Sequence, residues 1–144
     1  MEGIVLAVPE AEERLLSCCL LSGGALLTCL GKGLRPSDFG YQIHGMLFDT
    51  MTKLQEGGHS VEPTTVLSEL SASGKLDLVG GKEFLIRLEE IGADPDIVAE
   101  YISIIKDRSI RRDLNKSLDE IVGLMYAEPD IRALISRSEE KLFQ

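Results

Sequence analysis

A chain of 144 residues, 44% of them hydrophobic, fits one domain, or a small head with an appendage, and can bury a core. Aromatic residues make up 5% and Trp is absent, so that core must be aliphatic. The formal net charge of −9 argues against nonspecific duplex binding, which draws its affinity from neutralised phosphates and released counterions, and favours protein partners.

The N-terminus, Met1-Glu2-Gly3-Ile4-Val5-Leu6-Ala7-Val8, lacks the basic start of a secretory signal, and its run Ile4-Val5-Leu6-Ala7-Val8 is too short to argue for a sheet. No run reaches the ~18 apolar residues of a membrane span. Cys18, Cys19 and Cys29 form no CxxC pair and leave an odd thiol, which fits a reducing cytoplasm. Cys18-Cys19 reads as helix packing. All five prolines, Pro9, Pro36, Pro63, Pro95 and Pro129, stand at or just before a proposed helix start, where a missing N–H has no helical partner to lose. Glu62, Asp94, Asp96, Glu128 and Asp130 add acids near the positive helix ends. This punctuation predicts an all-α chain, with helices near 10–21, 25–30, 41–56, 63–73, 81–91, 95–126 and 129–143.

In the helix near 41–56, Ile43, Leu47, Met51 and Leu54 form an apolar stripe, and Phe39 closes its entry. From Val61 to Leu88 the chain reads as two short amphipathic helices around a compact turn. Val66, Leu67 and Leu70 keep helical spacing until Gly74 ends the first helix. Leu76, Leu78 and Val79 connect, Gly80-Gly81 turns, and Phe84, Leu85, Leu88 and Ile91 resume the period. The expected head core is Leu15, Phe39, Leu47, Phe48, Met51, Leu70, Leu76, Phe84 and Leu88.

The segment 95–126 would be about 45 Å long at ~1.5 Å per residue, and it changes face. Ile97, Val98, Tyr101, Ile102 and Ile105 share one side; Ile110, Leu114, Leu118, Ile121 and Met125 lie on nearly the opposite side. Between them the first face becomes charged at Arg108, Arg112 and Lys116, a candidate basic contact face whose plainer reading is a solvated helix surface. The first half should pack on the head. The second half needs another partner, which Ile131, Leu134, Ile135 and Leu142 of the last helix supply in part. A second subunit can cover the rest, and a simple hairpin with no oligomer is the alternative. The expected division is a head over 1–93 and an antiparallel helical hairpin over 94–144.

No catalytic, cofactor or metal residue emerges. Gly31-Lys32, Gly74-Lys75 and Gly81-Lys82 are followed by Gly33, Leu76 and Glu83, so none completes a phosphate-binding loop. His44 and His59 lack zinc spacing, and His44 reads as a packing or hydrogen-bonding residue. Glu89-Glu90 and Glu139-Glu140 are adjacent and diverge around a helix instead of converging as a catalytic pair.

Taken in order, these pieces resemble the N-terminal domain of the DnaB-type replicative DNA helicases, bacterial or phage. Glu10-Ala11-Glu12-Glu13 before Leu15-Leu16 is similar to that family's opening helix. Ser37-Asp38-Phe39, His44, Leu47-Phe48 and Met51 are similar to its next long helix, and Leu54-Gln55-Glu56-Gly57-Gly58 with Val61 to its glycine turn. Gly74-Lys75-Leu76 and Val79-Gly80-Gly81 match its next pair of turns, and Tyr101–Arg112 and Ser138–Phe143 its helical hairpin. Ser17-Cys18-Cys19, Leu21-Ser22-Gly23-Gly24 and Gly40 depart from the family pattern and mark a divergent member.

The resemblance implies a non-catalytic, cytoplasmic collar domain. Its parent would unwind DNA with ATP and Mg²⁺ in a motor domain this chain does not contain, and would meet DNA mainly through that motor. Self-association as dimers toward a hexamer, with docking of primase and a helicase loader, is implied as well. A free-standing phage regulator that binds a host helicase is the alternative, and the sequence following Gln144 separates the two. A small thiol or acid–base enzyme would need a convergent constellation, which the chain lacks.

Overall fold

Pro9 opens the first helix, α1 (Pro9–Leu21), in a computed structural model that describes residues 3–143. There follow α2 (Gly23–Gly31), a 3₁₀ turn at Pro36–Asp38, α3 (Gln42–Glu56), α4 (Pro63–Ala72) and α5 (Gly81–Ile91). A second 3₁₀ turn, Pro95–Ile97, leads into α6 (Val98–Ala127), and α7 (Ile131–Leu142) ends the described chain. Among the described residues there is no strand, so the all-α expectation holds.

Boundaries shift where capping overrides proline. Asp94 accepts from the Asp96 N–H at 2.9 Å, so Pro95 begins a 3₁₀ turn and the long helix starts at Val98. Asp130 caps α7 by accepting from the Arg132 N–H at 3.3 Å, which leaves Pro129 just outside the helix and not within its first turn.

α1 is the centre of the head. Its residues Leu15 to Leu20 are all buried, and α2, α3 and α5 pack around it. A helical stretch that lacks charge on every side, as this one does, belongs inside. Leu47, Phe48 and Met51 of α3, Val66 and Leu70 of α4, and Phe84, Leu85 and Leu88 of α5 complete the core. Of the nine expected core residues only Leu76 is half-buried; the others are buried. Gly80 (φ 108°) and Gly81 (φ 77°) make the sharp entry to α5, which a side chain at either position would resist.

The first structural unit runs to Ser109, and the second begins at Ile110, against the expected division at 93/94. The reason is burial: Val98, Tyr101, Ile102 and Ile105 belong to the head core. Polar ties add to them. Ser109 Oγ donates to Asp38 Oδ1 at 2.8 Å, and Lys106 Nζ donates to the Lys32 carbonyl at 2.6 Å. A cation at that carbonyl also meets the negative end of α2.

Two buried polar ties fix α1. Glu12 is 1% exposed and accepts from the Gly40 N–H at 2.8 Å, the Tyr41 N–H at 3.3 Å and His44 Nδ1 at 2.8 Å. Ser17 Oγ donates to the Leu88 carbonyl of α5 at 2.6 Å. His44 is therefore a packing and hydrogen-bonding residue, and its ring stacks on Phe84 with centroids 5.9 Å apart.

Phe84→Ala should cost about 3–5 kcal/mol, because it empties a core site and removes that stacked face. A urea midpoint equal to the parent's would contradict this packing. Gly45→Ala should also destabilise, by about 1–3 kcal/mol, since the added Cβ would lie 2.7 Å from the Pro36 carbonyl oxygen. Thermal melts of the parent and variant at equal concentration test it, and an unchanged midpoint would mean that the 3₁₀ turn yields freely.

Candidate subunit interface

The second unit is a two-helix hairpin whose local causes are plain. From Ile110 to Ala127 there is no proline and one glycine, Gly123, so α6 continues without a break. Glu128-Pro129-Asp130 then reverses the chain. Arg137 Nη1 lies 2.9 Å from Glu128 Oε2 and Lys141 Nζ 3.0 Å from Glu120 Oε2, which sets the two helices antiparallel. The Lys141 hydrogen bond, with its charge, holds the Glu120 carboxyl below the usual carboxylate range. That pairing is present above ordinary carboxylate titration and fades as pH falls through the lowered value.

Projected at about 100° per residue, the half-buried residues Ser117, Ile121 and Leu124 share one narrow face of α6, the face toward α7. Leu114, Leu118, Val122 and Met125 lie about a quarter-turn away and are exposed. On α7, Leu134, Ser138 and Lys141 are half-buried, while Ile131, Ile135 and Leu142 form an exposed strip beside them. Each helix thus keeps one face for its neighbour and leaves a second apolar face open.

Of the interface residues expected from sequence, Ile110, Leu114, Leu118, Met125, Ile131, Ile135 and Leu142 are exposed, and Ile121 and Leu134 are half-buried in the hairpin seam. Ile110 is 69% exposed, Leu118 47% and Ile131 64%, high values for aliphatic side chains. Val122, Tyr126 and Phe143 are also exposed but were not singled out by spacing. Val122 and Tyr126 directly follow Ile121 and Met125, so a wider apolar arc would have found them. No side chain from Ile110 to Phe143 is buried.

The expected basic row is not presented as one face. Arg108 is half-buried in the first unit and pairs with Asp107, and its Nε is buried without a hydrogen-bond partner. Arg112 is half-buried. Lys116 is exposed in a shallow cleft with Asp113, Ser117, Glu120 and Lys141, where acids offset its charge. The glycine–lysine pairs lie at helix ends: Gly31-Lys32 closes α2, Gly74-Lys75 follows α4, and Gly81-Lys82 opens α5.

Comparison with known proteins places this architecture. The family model of the DnaB-like helicase N-terminal domain matches residues 6–107. Replicative DNA helicase DnaB of Geobacillus stearothermophilus is 29% identical over 136 residues, covering 94% of this chain and 30% of that protein. Replicative DNA helicase DnaC of Bacillus subtilis is 29% identical over the same shares of each chain. This chain therefore spans about 30% of the length of those two relatives. The crystal structure of the N-terminal domain of DnaB helicase from Mycobacterium tuberculosis superposes with a TM-score of 0.90 at 26% identity, covering 96% of this chain and 98% of that one. With the family model spanning more than two thirds of its residues and the fold shared throughout, the chain belongs to the DnaB-like helicase N-terminal domain family.

Proposed function

We propose that this chain is the non-catalytic collar of a hexameric replicative DNA helicase, and that its hairpin joins copies of the chain to one another. The observation that carries this reading is the hairpin's composition of half-buried and exposed apolar residues, with no buried side chain from Ile110 to Phe143. Two amphipathic helices that cover each other only along one narrow seam gain further burial when a second hairpin is laid on the open strips. Helices of this kind pack through such stripes at about 8–10 Å. A second copy supplies the same self-complementary strips, as a two-fold contact requires. Pairs formed this way are the units of a ring.

In this reading the collar sets subunit spacing and offers a docking surface to primase and to a helicase loader. ATP and Mg²⁺ serve a motor domain that acts elsewhere in the protein, and DNA is met chiefly there. The site of action is the cytoplasm. Among the described residues, no helix is long and apolar enough to cross a membrane.

Leu118 stands in the middle of the open strip and tests the contact. A charge there would be buried without a partner on association, at a cost of about 3–5 kcal/mol, or a loss of roughly two or more powers of ten in affinity. Sedimentation equilibrium over a wide concentration range should show dimers or larger species for the parent and monomers for Leu118→Asp, with helicity recorded by circular dichroism for both. A parent that stays monomeric at high micromolar concentration would count against the collar reading. A folded Leu118→Asp chain that still pairs would move the contact off this strip.

A further inference from the structure

Three thiols meet at the α1–α2 corner, and they are not equivalent. Cys18 Sγ lies 3.6 Å from both the Ala93 and the Asp94 carbonyl oxygens, so its S–H is directed toward the end of α5. Cys19 Sγ and Cys29 Sγ lie 3.7 Å apart, fully buried, on two helices joined only by Ser22. The residues are ten apart in sequence. Closing the pair to the ~2.05 Å of a disulfide needs a movement of under 2 Å at roughly one corner of the head.

We propose that Cys19 and Cys29 are a modification site, an intramolecular dithiol that a peroxide converts to a disulfide, fastening α2 to α1. In the first step a thiolate sulfur attacks the peroxide, an S–O bond forms, the O–O bond breaks and one water leaves. In the second step the partner sulfur displaces that oxygen, the S–S bond forms and a second water leaves. Two thiols lose two electrons and two protons in total, and one peroxide becomes two waters.

Two features control when this happens. Hydrogen bonding to Cys29, followed by burial, raises the Cys19 thiol well above its ordinary pKa, which keeps the pair reduced and slow while it is covered. The cover itself is weak. Gly23, Gly24 and Gly31 are three of the nine residues of α2, and no side chain caps its start. Elements of this kind open at lower free energy than the core beneath them. Opening of α2 admits the oxidant, and closure brings the sulfurs together.

The test treats the full chain with hydrogen peroxide, blocks remaining thiols with N-ethylmaleimide and maps peptides without reductant. The expected product is a Cys19–Cys29 cross-linked pair lighter by two hydrogens, with Cys18 alone alkylated and dithiothreitol restoring all three thiols. The oxidised chain should also melt at a higher denaturant concentration than the reduced one. Cys18→Ser should leave the cross-link in place. Three alkylated cysteines after peroxide, a cross-link through Cys18, or irreversible oxidation of Cys19 or Cys29 without an S–S bond would each overturn the proposal. The parent map decides the matter even if a Cys29→Ser chain folds poorly.

Discussion

One carboxylate organises the head. Glu12 is buried in the first half of α1, and its oxygens take hydrogen bonds from the backbone at Gly40 and Tyr41 and from His44 at the start of α3. A buried carboxylate without partners would be prohibitively costly; with three donors it becomes a specific tie between two helices far apart in sequence. The consequences spread outward. Among the charged residues of α1, Glu12 is the buried one and its partners satisfy it, so the helix can go on to bury Leu15 to Leu20; α3 is held at its N-terminus, where Phe39 packs on Phe48 at 5.1 Å and His44 stacks on Phe84 of α5. Ser17, also on α1, ties the opposite side of the same helix to α5.

Much of this was legible in the sequence because the deciding forces are local. Proline and glycine placed the helix starts and turns near their observed positions, since φ restriction and a missing N–H act within a few residues. Apolar period placed Leu47, Met51, Leu70, Phe84 and Leu88 inside. Glu12 was not distinguishable from Glu10 and Glu13, because its partners lie 28 to 32 residues away and two of them are backbone N–H groups common to any residue type. The capping carboxylates Asp94 and Asp130 read as acids near helix ends, and the N–H each one takes, Asp96 and Arg132, depends on a backbone turn that the residue pattern does not specify.

The hairpin was legible in a different way. The change of face at Ile110 required no three-dimensional information beyond about 100° per residue, and the exposed strip agrees with it. Val122 and Tyr126 escaped because a single-stripe template ignores residues at its edge. The basic residues were harder. Arg108, Arg112 and Lys116 share a helical side by counting, but salt bridges depend on which acid lies within reach: Arg108 pairs with Asp107, and Lys116 shares a cleft with Asp113 and Glu120.

A unit that buries no side chain of its own has little to stabilise it except helix propensity, the seam through Ile121, Leu124 and Leu134, and two exposed ion pairs. Exposed pairs contribute little, and short helices are marginal in water. In the proposed reading, a partner that covers Leu114, Leu118, Met125, Ile131 and Ile135 supplies the burial the hairpin lacks. Pairing of the proposed kind links the hairpin's folding to its binding, whereas the head has its own closed core. The head carries the closed core, and association is the role proposed for the hairpin. Because the apolar strips change face only after Ser109, each is free to be optimised without disturbing the other.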